Sequence, residues 1–281
     1  MTTYKDIRGT HIKTVTSDPP APVNGQMWYN STTKVMKGLT SSPVGSWSTG
    51  GTLNSARGVP GGLGASQDAA LYIGGSQTVA SVEQYNGTSF TEVADLNTGR
   101  KGTTGTGTTT AGLACGGDTG PSGSGGPGVA NVESWNGSAW TETTDLNNAR
   151  QGPGGSGIST SSLIFGGYDG TRTTNTEHWN GSSWTEMNNL NTARANMASA
   201  GDATSALGIG GYSTAVVAIV ELWDGTNWAE TTDLSTGRYF MAGAGTTTAG
   251  LGMGGETSTA AVTNNEEWTA PTTSTVTFTA S

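Results

Sequence analysis

One phrase, WNGSAWTETTDLNNAR from Trp135 to Arg150, returns down the chain at nearly constant spacing. It reappears as YNGTSFTEVADLNTGR (Tyr85 to Arg100), WNGSSWTEMNNLNTAR (Trp179 to Arg194) and WDGTNWAETTDLSTGR (Trp223 to Arg238), and in shortened form as WSTGGTLNSAR (Trp47 to Arg57). Such self-similarity, at a period of about 44 residues, is the mark of one supersecondary unit built several times, each unable to bury its apolar face except against its neighbours.

Each copy reads as the outer hairpin of a small sheet. An aromatic, Asn-Gly or Asp-Gly, two small polar residues and a second aromatic imply a type I′ turn, which needs positive φ at both central positions. The two aromatics are then available to pack on neighbouring sheets. The Leu-Asn or Leu-Ser that follows reads as one buried leucine in a polar crossover to the next unit. Asn30, Asn86, Asn136 and Asn180 stand in N-x-S/T sequons, but three of them are the turn residues of these hairpins, and turn chemistry accounts for them.

The second aromatic precedes an arginine by ten residues in every copy: Trp47 to Arg57, Phe90 to Arg100, Trp140 to Arg150, Trp184 to Arg194, Trp228 to Arg238. After each arginine come small residues, then an apolar run ending in Gly-Gly (Gly74-Gly75, Gly116-Gly117, Gly166-Gly167, Gly210-Gly211, Gly254-Gly255). A glutamate two residues before an aromatic follows: Glu83, Glu133, Glu177, Glu221 and Glu266. A unit therefore holds four short strands: A after the arginine, B ending in Gly-Gly, C carrying the glutamate, and D beginning at the second aromatic. That period predicts an all-β protein, a β-propeller of five blades with almost no helix. Strand A, as GTTGTGT or NMASAGDA, has the small residues that a crowded central axis requires. Trp47 has no A, B and C strands before it, and the fifth unit has no D strand after Trp268, so the ring is expected to close through the Trp47 strand.

The order arginine, apolar run, Gly-Gly, Glu-x-aromatic, Trp, Leu resembles the kelch repeat from about residue 47 to 268. It departs from the usual kelch unit in spacing its two aromatics only five apart and in keeping the tyrosine before Gly-Gly only at Tyr72. The resemblance implies a five-bladed kelch-like β-propeller over residues 47–281, preceded by a non-repeating segment, residues 1–46, that contains a β-hairpin in QMWYN and KVMKG.

Charge narrows the function classes. The formal charge is −9, and no Lys/Arg cluster offers a phosphate-binding surface, which argues against nucleic acid and against an anionic bilayer. Nowhere do 18 apolar residues run together, and the N-terminus lacks a signal-peptide apolar region, so synthesis in a cytoplasm without membrane insertion is expected. One cysteine, Cys115 in AGLACGG, allows no internal disulfide and reads as a small buried strand residue.

Catalytic, cofactor and metal signals are weak. The two histidines, His11 and His178, form no ligand-like cluster with cysteine or carboxylate. Kelch-type galactose oxidases hold copper through Tyr and His, and no such set carries over, so no catalytic, cofactor or metal residue is assigned and the protein is not expected to be an enzyme. The arginines Arg57, Arg100, Arg150, Arg194 and Arg238 and the five glutamates recur in every unit, whereas an active site needs asymmetry. They are expected to be structural, each arginine bonding carbonyls or carboxylates of its own or the adjacent blade, including the glutamate of strand C.

Asymmetry is found in the B to C loops, where unit two carries an insertion of Gly, Ser and Pro and unit three offers Tyr168, Asp169 and Arg172. These loops and the arginine-bearing D to A loops are expected on one face, as candidate interaction residues alongside Trp28 and Tyr29 of the N-terminal segment. That segment, GQMWYNSTTKVMKG followed by GSWSTGGTLNSAR, resembles the opening of kelch-like structural proteins of tailed phages of marine bacteria, with the word PxNGQxWYN as its signature. The resemblance implies a virion component, in a tail fibre or other appendage. Residues 1–46 would then attach to other virion proteins or to copies of the chain, in a homo-oligomer or larger assembly, and the propeller loops would face a host-surface glycan. A decoration protein without receptor role and, from another class, a carbohydrate-active or oxidase-type propeller enzyme are the alternatives; clustered carboxylates in one pocket would favour a glycosidase.

Overall fold

A computed structural model describes residues 13–17, 27–38, 51–121, 126 and 128–270. The chain divides into two compact units, Met1–Thr49 and Gly50–Ser281. In the first, strands β2 (Met27–Asn30) and β3 (Val35–Gly38) form the hairpin read from QMWYN and KVMKG, and β1 (Lys13–Val15) adds to β2 in parallel. The Asn30 side chain shapes its turn, its Oδ1 accepting the Thr32 and Thr33 N–H groups at 3.1 and 3.0 Å.

The second unit is a five-bladed β-propeller, all-β and without helix among the described residues. Blade one comprises β4 (Gly61–Ser66), β5 (Ala69–Ile73), β6 (Val82–Tyr85) and β7 (Phe90–Val93). Blade two comprises β8 (Thr104–Thr108), β9 (Ala111–Cys115), β10 (Val132–Trp135) and β11 (Trp140–Glu142). Blade three follows as β12 (Gly154–Ile158), β13 (Ser161–Phe165), β14 (Thr176–Trp179) and β15 (Trp184–Met187). Blade four is β16 (Ala198–Gly201), β17 (Ala206–Ile209), β18 (Val220–Trp223) and β19 (Trp228–Glu230). Blade five holds β20 (Ala242–Gly245), β21 (Ala249–Met253) and β22 (Asn265–Thr269). Within each blade the strands pair antiparallel in chain order, as strands A to D were read.

The innermost strands β4, β8, β12, β16 and β20 lie beside one another in sequence. Their glycines are needed because backbone meets backbone there. A Cβ at Gly105 would stand 2.5 Å from the Gly62 carbonyl oxygen, and one at Gly243 would stand 2.3 Å from that of Ser199. Hydroxyls pin the same seams: Thr106 to Ser162 at 2.7 Å, and Ser199 Oγ donating to the Gly155 carbonyl at 2.7 Å.

Between blades the core is aromatic. The strand D tryptophan of blades two, three and four packs on the preceding blade: Trp140 on Leu71, Ile73, Val82 and Leu96, Trp184 on Leu113, Val132 and Leu146, and Trp228 on Leu163, Phe165 and Leu190. Leu96, Leu146 and Leu190 are the buried crossover leucines, and each N–H donates to a main-chain carbonyl at 3.0 Å. In blade five, a cleft lined by Leu207, Ile209, Val220, Leu234 and Trp268 occupies the place that Trp228 fills one blade earlier. The expected closing strand at Trp47 lies outside the described residues.

The hairpin turns correct one expectation. The strands end on the aromatic pairs Tyr85–Phe90, Trp135–Trp140, Trp179–Trp184 and Trp223–Trp228, so each loop has four residues rather than the two of a type I′ turn. Only the glycine has positive φ (91° at Gly87, 92° at Gly137, 96° at Gly181, 94° at Gly225). The preceding side chain takes over the turn: Asn136 Oδ1 accepts the Ser138 and Ala139 N–H groups at 3.0 Å, and Asp224 Oδ1 accepts those of Thr226 and Asn227 at 2.8 and 2.7 Å. An Asx cap of this kind satisfies the loop amides without forcing asparagine into the left-handed region.

Candidate functional site

The recurring arginines and glutamates meet at every blade junction. Arg57 reaches Glu83 at 2.7 Å, Arg100 reaches Glu133 at 3.1 Å, Arg194 reaches Glu221 at 2.6 Å and Arg238 reaches Glu266 at 2.6 Å, and Arg150 pairs with Glu177. Each arginine lies in the crossover, and its glutamate is on strand C of the blade that follows. The glutamate's second oxygen accepts a crossover amide, at 2.7 Å from Asn54, Asn97, Asn147, Asn191 and Ser235 in turn. The rest of the guanidinium goes to carbonyls: Arg150 donates to Asn148, Gly166 and Asn175 at 3.1, 3.2 and 2.8 Å.

The arginine's own carbonyl points the other way, to the preceding blade. In the first four blades the second glycine of the Gly-Gly donates to it: Gly75 to Arg100 at 3.0 Å, Gly117 to Arg150 at 2.9 Å, Gly167 to Arg194 at 2.9 Å, Gly211 to Arg238 at 2.8 Å. In those blades the first glycine has no room for a side chain; a Cβ at Gly74 would lie 2.3 Å from the Arg100 carbonyl oxygen, with φ at 59°. Arg100, Arg150, Arg194 and Arg238 thus bind one blade by the main chain and the next by the side chain. Burial pushes the guanidinium groups of Arg100, Arg150 and Arg194 below their ordinary range, while the paired glutamates Glu133, Glu177 and Glu221 pull them back up.

Just beyond the arginines a second ring is built from backbone. Val59, Gly102, Gly152, Asn196 and Phe240 occupy the left-handed region, with φ from 53° to 60°. The N–H groups of the last four donate to the carbonyl of the counterpart one blade back: Gly102 to Val59 at 3.0 Å, Gly152 to Gly102 and Asn196 to Gly152 at 2.7 Å, Phe240 to Asn196 at 2.9 Å. Glycine adopts this conformation freely, but Val59 and Phe240 do so at a cost in strain, and both are exposed.

The residues on either side of this ring form the face on which the B to C loops were expected. Short bridges join the residue after each arginine to the residue after the same blade's Gly-Gly: Lys101 to Asp118, Gln151 to Tyr168, Ala195 to Tyr212, Tyr239 to Glu256. The side chains that tie the blades together repeat, whereas these outward positions change from blade to blade. In blade two Lys101 pairs with Asp118 at 3.1 Å and donates to the Gly120 carbonyl at 2.8 Å, holding the base of the Gly-Ser-Pro insertion. Much of that insertion's tip, residues 122–125 and 127, lies outside the described residues.

Of the three candidates in blade three, the structure brings Tyr168 and Arg172 together, with the guanidinium 5.4 Å from the ring centre. Asp169 is used in the turn, its Oδ1 accepting the Thr171 N–H at 3.0 Å and hydroxyl at 3.1 Å. Sequence reading missed Tyr212, over which Arg172 lies at 4.7 Å, and missed Tyr239, which meets Tyr212 edge-on at 5.6 Å. The available signal was the position after Gly-Gly, which carries tyrosine in blades three and four. Gln151, Tyr168, Arg172, Ala195 and Asn196 line a cleft of about 320 Å³.

No protein-family model and no curated protein matches the chain. The five-bladed architecture stands on its own repeat geometry.

Elsewhere, among the described residues, no three His, Cys, Asp or Glu side chains group as metal ligands would. His178 lies on β14 with its Nε2 3.2 Å from the Ser161 hydroxyl, while His11 falls outside the described residues. Tyr29 is half-buried within the N-terminal unit; Trp28 occupies β2, paired across the hairpin with Lys37.

Proposed function

We propose that this chain is a kelch-like structural protein of a tailed-phage virion, a tail-fibre or appendage propeller with no catalytic role. Residues 1–46 would attach it to other virion proteins or to copies of itself, and the face of the B to C loops would meet a glycan on the host surface. The phage reading draws on the PxNGQxWYN word at the N-terminus. The observation that carries the adhesive reading is the division of side chains within one repeat: the repeating positions are spent at blade junctions, and the variable ones gather aromatic and cationic groups on one face. A rigid scaffold that spends its repeated residues on itself and varies only at its loops is suited to display. Many copies on a particle would let weak contacts hold by avidity.

Negative-stain imaging of particles with a labelled antibody locates the protein, and deletion of residues 1 to 40 tests attachment. Incorporation of the shortened chain at normal levels overturns the anchoring role. Normal host adsorption by particles lacking the whole protein overturns the adhesive role and leaves surface decoration.

A further inference from the structure

From Gly50 onward the cationic side chains are Arg57, Arg100, Lys101, Arg150, Arg172, Arg194 and Arg238. Among the described residues every one of them except Arg172 stands in an ion pair. Arg172 lies exposed over the rings of Tyr212 and Tyr168, at 4.7 and 5.4 Å. Contacts of this kind use the flat sides of a guanidinium. They leave its in-plane N–H fork, the part that matches a carboxylate or phosphate, unspent.

The cleft beside it is chemically equipped in the same sense. The phenol groups of Tyr168 and Tyr212, the carboxamide NH2 of Asn196 and the side-chain oxygen of Gln151 make no hydrogen bond among the described residues; the Gln151 NH2 donates to the Gly126 carbonyl. One aromatic ring, two amides and one unpaired cation therefore converge on about 320 Å³, at the small end of the roughly 300–1,000 Å³ typical of ligand pockets, with Tyr212 beneath Arg172. We propose that this cleft binds one acidic sugar unit of a surface glycan. The apolar face of the pyranose would pack on Tyr168, its carboxylate or phosphate would meet the Arg172 fork, which Tyr212 supports from below, and its hydroxyls would meet Asn196 and Gln151. An acidic peptide side chain would satisfy Arg172 but leave the Tyr168 ring and the amides unused. The chain's charge of −9 opposes a polyanion at long range, so each site binds weakly and gains from repetition.

This inference rests on the adhesive reading of the face, and its test separates the two. Full-length protein is passed over immobilised oligogalacturonate, a glycerol-phosphate glycan, a neutral galactose oligomer and polyglutamate; the first two distinguish a carboxylate from a phosphate source. The expected result is binding to at least one acidic glycan, weakened about ten- to a hundredfold by Arg172→Gln, the range for a hydrogen bond to a charged group, and also weakened by Tyr212→Ala. Melting of both variants is checked against the parent. Equal binding of neutral and acidic oligomers, unchanged affinity in Arg172→Gln, preference for polyglutamate, or no binding to either acidic glycan overturns the inference. If particles lacking the protein fail to adsorb while particles carrying Arg172→Gln adsorb normally, the adhesive reading stands and this inference falls.

Discussion

Replacing Arg150 by alanine probes the blade junction most directly. The guanidinium is fully buried and bonds Glu177, the carbonyls of Gly166 and Asn175, and the carbonyl of its own crossover at Asn148. Its removal leaves Glu177 buried, with the Asn147 and Asn148 amides as its remaining hydrogen-bond donors, at 2.7 and 3.2 Å. A buried carboxylate that loses its cation costs about 3–5 kcal/mol, because the desolvation of the charge is no longer offset. The carbonyls of Gly166 and Asn175 lose a donor as well, which holds the expected loss toward the upper part of that range. Urea unfolding followed by tryptophan fluorescence reads the loss, since Trp179 and Trp184 lie in the same junction. The exposed Arg172→Ala serves as control and is expected within about 0.5 kcal/mol of the parent. The double variant Arg150→Met with Glu177→Gln is expected to recover part of the loss, because it removes the stranded charge. An Arg150→Ala protein within about 0.5 kcal/mol of the parent refutes the junction argument, and so does a double variant less stable than the sum of the single changes.

Three further outcomes are expected. Burial pushes the Glu83 carboxyl up, but the Asn54 amide and Arg57 outweigh it and hold it below the ordinary range; Glu266 is held down in the same way by Ser235 and Arg238. Depressed folded values mean stability that is present above about pH 4.3, the ordinary glutamate value, and lost as pH falls further, so unfolding midpoints that stay level down to pH 3 refute it. Burial raises the Cys115 thiol to about 12, so it should react with a thiol reagent only after unfolding, and labelling of the native protein at the rate of a free thiol contradicts that placement. Closure of the ring through Trp47 is checked by Trp47→Ala, expected to cost about 3–5 kcal/mol as Trp228→Ala should; an unchanged melt rules closure out.

Blade number, strand order and the Arg–Glu partnership were legible in the chain itself, because each is set within one period: the apolar run, Gly-Gly, glutamate and tryptophan follow one another in every unit, and strand A carries the small residues that crowding at the axis demands. The leucine of the crossover was legible for the same reason. What the residues in line did not disclose is direction and company across the ring. Whether an arginine faces its own blade or the next, and that its carbonyl serves the Gly-Gly behind it, depends on how consecutive sheets are staggered about the axis. The turn at Asn136 was misread because dipeptide rules describe two-residue loops, while pairing of Trp135 with Trp140 sets a four-residue loop that the asparagine side chain completes. Tyr212 stands forty residues beyond Arg172 in the chain, and only the ring brings the next blade's loop over to place the two in contact. Local pattern determined what each blade is made of; the close approach of neighbouring blades decided which side chains are consumed in holding the ring and which are left on its face.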